Sequence, residues 1–271
     1  MVLITIAIPS SILTVEHGLL LKTIRVFQVI RFSSIFRVSK IIVYRDPFTE
    51  LKRHEDYLLL FSKIHNYLVT PPYLRRKLVS IDNDLKYVGA LPPLRLLVYD
   101  VSRDGFVGEK RIGYKINEYV DIGLKWKFKI IDPSKCIDDK FVYVEIKSLN
   151  PPLVECISEK PYLGPLLSNA SSLREVIEYG GREGYFILAT SRHGIIPGLD
   201  DLVRLKNFEK ILILYGAPKY GLYEISRREG FELDALVDAV WNIIPGQGVK
   251  TVRTEEALIA SLAILNMFIN R

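Results

Sequence analysis

Three short stretches concentrate residue types from which binding sites are commonly built. They are Ala189-Thr190-Ser191-Arg192-His193-Gly194, Tyr215-Gly216-Ala217-Pro218-Lys219-Tyr220-Gly221-Leu222 and Asn242-Ile243-Ile244-Pro245-Gly246-Gln247-Gly248. Each follows or closes an apolar run of the buried-strand type: Tyr185–Ala189, Ile211–Tyr215 and the weaker Asp238–Ile244. In an open α/β sheet, ligands bind beyond the carboxyl ends of the strands, where glycine allows close backbone approach. Three such loops after three consecutive strands would build one adenosine-sized pocket from backbone groups. Taken singly, each is also an ordinary turn.

Other chemistries lack their residues. There is no G-x-x-x-x-G-K-[ST] phosphate loop, no G-x-G-x-x-G fingerprint and no G-x-S-x-G elbow. His17, His54, His65 and His193 lack metal-ligand spacing, so no metal is expected. Cys136 and Cys156 cannot form a disulfide framework and are expected as buried small hydrophobes in a reducing compartment. Glu255-Glu256 follows Thr254, which would cap a helix whose first turn suits two acids. A catalytic carboxylate pair is the alternative there.

The elements that must hold these loops read as α/β. Leu3–Ile8 is a short Ile-rich strand ended by Pro9, a helix runs from about Glu16 to Ser39, and Ile41–Tyr44 is a second strand. Strand, helix, strand implies a parallel pair with a right-handed crossover. Leu51–Leu68 is amphipathic and stops at Pro71-Pro72. Between Pro92-Pro93 and Pro151-Pro152 the period becomes two, as in Lys125–Ile130 and in Val142, Val144 and Ile146. This segment, residues 93–149, is expected to be a small all-β domain of SH3-like or five-stranded OB type. Residues 1–92 and 150–271 then form one parallel sheet, with helices at Ser171–Tyr179, closed by Gly180-Gly181, and at Glu255–Phe268.

At 271 residues, with 49% hydrophobic and 25% charged residues, the chain has an ordinary globular composition, which excludes disordered and collagen-like classes. Val2–Ile8 lacks a basic flank and no uncharged stretch is long enough to span a bilayer, so a cytoplasmic protein without membrane contact is expected. Two Gln, two Met and two Cys beside many Ile, Lys and Glu fit a hyperthermophile. The net charge of +6 is uneven: residues 1–94 hold 13 Lys and Arg against 7 Asp and Glu, while residues 150–271 hold 13 against 15. A basic region on a balanced chain suggests nucleic acid, a solvated surface being the plain alternative. Lys22, Arg25 and the triplet Arg75-Arg76-Lys77 lie in that third, and Lys125, Lys127 and Lys129 add a second candidate RNA contact on the β segment.

The stretch Asn242-x-Ile244-Pro245-Gly246-Gln247-Gly248-x-x-Thr251-Val252-Arg253-Thr254-Glu255-Glu256-Ala257, running into an apolar helix, resembles the signature of one SPOUT-superfamily branch. That branch comprises archaeal and eukaryotic RNA methyltransferases with an OB-like insertion. Ile35-Phe36-Arg37-Val38, Tyr73-Leu74-Arg75-Arg76, Leu85-Lys86-Tyr87-Val88-Gly89 and Ala189-Thr190-Ser191-Arg192 match as well. Leu94-Arg95-Leu96-Leu97 departs from the Arg-Thr-Pro more common in relatives.

The resemblance implies a parallel sheet with a C-terminal trefoil knot, a homodimer, and S-adenosylmethionine held in the knot loops. It places Thr190, Arg192, Gly216, Pro218, Asn242, Ile243, Ile244, Gly246, Gln247, Thr251 and Arg253 at the methyl donor. Arg253 and Arg192 would orient the target nucleotide, with Glu255 as a proton acceptor. The implied partner is RNA, ribosomal RNA above all, with uridine as the base. A non-catalytic RNA-binding assembly protein of the same fold is the competing reading.

Overall fold

The computed structural model describes residues 2–136, 139–159 and 161–269. In chain order the elements are β1 (Leu3–Pro9), α1 (Leu19–Ile35), β2 (Lys40–Tyr44), α2 (Leu51–Val69), α3 (Pro72–Leu78), β3 (Lys110–Ile116), β4 (Tyr119–Asp121), β5 (Phe128–Ile130) and β6 (Phe141–Leu149). There follow β7 (Pro152–Cys156), β8 (Leu166–Ala170), α4 (Leu173–Arg182), β9 (Phe186–Ile195), α5 (Leu199–Arg204), β10 (Lys210–Leu214), α6 (Leu222–Arg228), β11 (Ala239–Trp241) and α7 (Thr254–Ile269). Contacts divide them into two units. One holds the N-terminal segment to His65, Asp84–Leu91 and the chain from Gly164 onward; the other holds Asn66–Asn83 and Pro92–Leu163.

The first unit is a six-stranded sheet in the order β11-β9-β10-β1-β2-β8, with every pairing parallel. Its central strands are continuous apolar runs because both faces are covered, as parallel sheets require. On one face, Leu173, Val176 and Ile177 of α4 and Leu222 and Ile225 of α6 pack on Ala7, Ile42, Leu212 and Leu214. The strand expected at 238–244 is only three residues long, and β8, with Ser168 and Asn169 on an edge, was not expected at all.

Helix ends differ from expectation for identifiable reasons. Gly18, at φ +83°, delays α1 to Leu19, and Arg37 ends it in a left-handed conformation (φ +53°) that lets Val38 N–H reach the Ser33 carbonyl at 2.9 Å. Gly180 and Gly181 do not close α4 but lie inside it. A Cβ on Gly180 would stand 2.7 Å from Leu212 Cδ2, so the glycine permits close helix–sheet packing, and Gly184 (φ +72°) provides the stop. At the α4 N-terminus a serine caps the helix: Ser172 Oγ accepts from Glu175 N–H at 3.0 Å.

The second unit contains a closed five-stranded barrel in the order β3-β4-β5-β7-β6, with β5 and β7 parallel and the other pairs antiparallel. Phe128, Ile130, Val142, Val144, Ile146 and Val154 fill it. The five-stranded closure agrees with the OB-type expectation, but β7 lies past residue 149 and α3 belongs with the barrel. Two further readings are corrected. The alternation of 125–130 begins only at Phe128, leaving Trp126 62% exposed, because residues 123–126 form a bend. Cys136 and Cys156 are joined as a disulfide, their Cα atoms 5.2 Å apart, and are not free thiols.

No helix among the described residues is long and apolar enough to cross a membrane. One buried hydrogen bond ties β2 to the loop after β10: Tyr44 Oη donates to the Tyr215 carbonyl at 2.7 Å. Burial, with Asp46 nearby, pushes the Tyr44 phenol well above its ordinary pKa. Tyr44→Phe leaves that carbonyl unsatisfied and is expected to lower unfolding stability by about 1–3 kcal/mol in urea titrations.

Candidate active site

The bulged second half of β9 (residues 190–194) and the loops after β10 and β11 converge at the carboxyl edge of the sheet on one cleft of about 230 Å³. Thr190, Arg192, Gly216, Pro218, Asn242, Ile243, Ile244, Gln247 and Thr251 of the sequence candidates line it. Gly246 and Arg253 are outside the lining. Glu224 and Trp241, outside the stretches singled out in the sequence, also line the cleft, as do Tyr215, Val252 and Ala257, which lie within those stretches but were given no role. Tyr215 and Trp241 are buried strand-end aromatics, indistinguishable in sequence from core residues.

Local hydrogen bonds fix the loops. Thr190 Oγ1 donates to the Leu214 carbonyl at 2.9 Å and so joins the first loop to β10. Asn242 N–H donates to the Ile195 carbonyl at 2.7 Å, Asn242 Nδ2 to the Arg192 carbonyl at 3.1 Å, and Asn242 Oδ1 accepts from Ile244 N–H at 3.2 Å. The β9–β11 register jumps from Ala189 opposite Val240 to Ile195 opposite Trp241, so residues 190–194 loop out between paired ends. Gly194 closes that loop against backbone: a Cβ would stand 2.5 Å from the Val240 carbonyl oxygen and 2.8 Å from Trp241 C. At the second loop, a Cβ on Gly216 would meet Gly221 Cα at 3.0 Å.

Thr254 does not cap α7. Its hydroxyl donates to the Gly216 carbonyl at 3.1 Å, while Arg253 N–H is capped by Glu256 Oε2 at 2.8 Å. Burial pushes the Tyr215 phenol above its ordinary range, and it hydrogen-bonds with Ser261 Oγ.

The charged candidates divide. Arg192 is exposed in the cleft, and its Nε donates to His193 Nε2 at 3.1 Å. The Arg253 side chain is 57% exposed and donates from Nη1 to Glu16 Oε1 at 3.2 Å. Glu255 is buried and ion-paired with Arg25, so it is not placed to accept a proton from a substrate. For the same reason Arg25, itself buried, is not presented to RNA. Arg75 donates to the carbonyls of Thr70 and Leu68 at 3.0 and 3.1 Å and lies over the Tyr67 ring, which makes it a brace for the end of α2. Lys22 is half-buried over the Tyr57 ring, and Lys77 pairs with Asp121 at 2.6 Å. Arg76, Lys125, Lys127 and Lys129 are exposed, Lys125 over the Trp126 ring. His54 and His65 are buried against Ser10 Oγ and the Pro165 carbonyl, as core histidines. Among the described residues, no group of three His, Cys, Asp or Glu is placed to hold a metal ion.

A family described as "Putative RNA methyltransferase" matches residues 3–265. The chain belongs to that family. A protein of Halobacterium salinarum, described as uncharacterized, is 26% identical over 293 residues, covering 97% of this chain and 98% of that protein. A human protein named 28S rRNA (uridine-N(3))-methyltransferase is 27% identical over 297 residues, covering 97% of this chain and 77% of its own length. A Drosophila melanogaster protein of the same name is 28% identical over 314 residues, at 97% and 61%. Family membership makes the chain an RNA methyltransferase, an enzyme that needs a methyl donor and an RNA acceptor.

The β9–β11 closure sets the shape of the cleft. Gly194→Ala forces two backbones apart and is expected to cost on the order of 1–3 kcal/mol in denaturant unfolding. Gly248→Ala, with nothing within 4 Å of its Cβ, serves as the control and is expected to leave the midpoint unchanged.

Proposed function

We propose that the protein transfers a methyl group from S-adenosylmethionine to N3 of a uridine in ribosomal RNA. The observation that carries this reading is the cleft at the carboxyl ends of β9, β10 and β11, lined by Asn242, Ile244, Gln247 and Thr251 of the stretch that resembles the family signature. The relatives named as rRNA (uridine-N(3))-methyltransferases support the choice of base and atom. The lining suits the donor: Tyr215, Pro218, Trp241, Ile243, Ile244 and Val252 offer apolar faces to an adenine, and Thr190, Asn242, Gln247 and Thr251 offer hydrogen-bonding groups. Arg192 supplies a cation for the donor's carboxylate. When bound, S-adenosylmethionine supplies an electrophilic methyl group on a sulfonium.

The chain's own task is alignment and charge. Uracil N3 must lose its proton before or as it is methylated, and the departing proton leaves negative charge spread over N3 and the flanking carbonyl oxygens. Arg253, exposed and outside the cleft lining, is the group assigned in this reading to the acceptor, where its guanidinium would stabilise that charge or grip a neighbouring phosphate. Arg76, Lys127 and Lys129 are the candidates for holding the RNA backbone.

Two further features belong to this proposal. A trefoil knot is supported by the looped-out residues 190–194, against which Asn242 turns back after β11. A homodimer is supported by the exposed apolar row Ile195, Ile196, Leu199 and Val203 beside the cleft.

The test is methyl transfer from labelled S-adenosylmethionine to unmodified ribosomal RNA, with the product mapped by mass spectrometry. The expected product is one 3-methyluridine, and Arg253→Ala is expected to abolish it while circular dichroism stays native. Absence of any methylated nucleotide would overturn the reading and favour an RNA-binding assembly protein.

A further inference from the structure

Arg25 lies on the buried side of α1, where an amphipathic helix would ordinarily place an apolar side chain, and is 5% exposed. Its Nε donates to Glu16 Oε1 at 3.0 Å, its terminal nitrogens pair with Glu16 and Glu255, and Nη1 also reaches Gln28 Oε1 at 3.4 Å. The side chains of Glu16 and Glu255 are 7% and 6% exposed. The same Glu16 oxygen accepts from Arg253 Nη1. Two arginines and two carboxylates therefore balance in charge, and only Arg253 reaches solvent. They tie the segment before α1, α1 itself and the start of α7 to one point.

A packing role does not account for this cluster. Buried ion pairs lose solvation on burial, and well-packed apolar residues of the same volume commonly hold such elements as well or better. What the charges supply is a carboxylate oxygen fixed from behind by Arg25 and aimed at Arg253. A guanidinium has five N–H donors, and Glu16 engages one of its nitrogens, so donors remain for an acceptor nucleotide. A side chain already held in place loses less rotamer freedom when it engages its target.

We propose that Glu16, backed by Arg25 and Glu255, is a positioning residue for methyl transfer: it sets the direction of the Arg253 guanidinium toward the target uridine. This rests on the rRNA methyltransferase reading above.

The experiment is a double-mutant cycle on the full-length protein, with Glu16→Gln and Arg253→Ala made singly and together. It is read as methyl transfer to ribosomal RNA and as calorimetric S-adenosylmethionine binding. Glu16→Gln is expected to lower kcat by roughly tenfold or more, since small misplacements of a positioning group reach that size. Donor affinity should stay within about twofold, because neither residue lines the donor cleft. With Arg253→Ala expected to abolish transfer, that variant and the double variant set the floor, and the kcat of the single Glu16 variants carries the test.

Glu16→Asp keeps the negative charge in the cluster but shortens by one methylene the side chain whose Oε1 both arginines engage. It is expected to fold natively and to lose kcat in the same direction, which carries the test if Glu16→Gln unfolds. Wild-type kcat in either variant, or a donor-affinity loss matching the kcat loss, would overturn the proposal. A wild-type protein that transfers no methyl group would instead overturn the functional reading, and this inference with it.

Discussion

Where β9 ends, Gly194 has room for a hydrogen and nothing larger against the carbonyl of Val240 and the backbone of Trp241. That closeness lets Asn242 N–H reach the Ile195 carbonyl and its amide side chain reach the Arg192 carbonyl. The first and third loops are thereby locked together, and Thr190 joins the first to β10. The site is thus built chiefly from backbone proximity at the end of a buried parallel sheet, which keeps its geometry rigid without dedicating many side chains to support. Behind it, Tyr44 and Thr254 bond to the carbonyls of Tyr215 and Gly216 and fix the second loop from β2 and α7.

The side proposed to face the acceptor is held differently. Arg253 sits at the cap of α7, its backbone fixed by Glu256 and its guanidinium by Glu16, so main chain and side chain have separate anchors. In the proposed function, donor and acceptor groups would rest on two structures: a tight backbone seam between β9 and β11, and a buried charge cluster between α1 and α7. Methyl transfer demands alignment of two partners above all, and this division gives each partner its own rigid support.

The central strands were legible because a strand buried on both faces must be largely apolar, and β1, β2, β10 and the first half of β9 (Phe186–Ala189) are. The three loops were legible because small and turn-forming residues interrupt those runs. Other features left no such trace. The edge strand β8, with Ser168 and Asn169, has too little apolar pattern to register. Gly180 reads as a helix stop until the Leu212 side chain below it is seen. Cys136 and Cys156 gave no signal of their pairing, since that depends on how the barrel brings them together. Charge was the least legible. Arg25 and Arg75 count toward a basic N-terminal third, yet one is buried against carboxylates and the other braces helix carbonyls, so the surplus overstates what is presented to RNA. Glu255 followed the same rule: its place in a helix first turn was read correctly, while its burial against Arg25 came from α1, far away in sequence.

The claim on which everything else rests is that the β9, β10 and β11 loops form a donor site. Isothermal titration of the purified protein with S-adenosylmethionine, with and without ribosomal RNA, measures it most directly. The account predicts saturable micromolar binding at one site per chain in the absence of RNA, because the loops are already locked by Gly194, Asn242 and Thr190. Absence of binding under both conditions would contradict it.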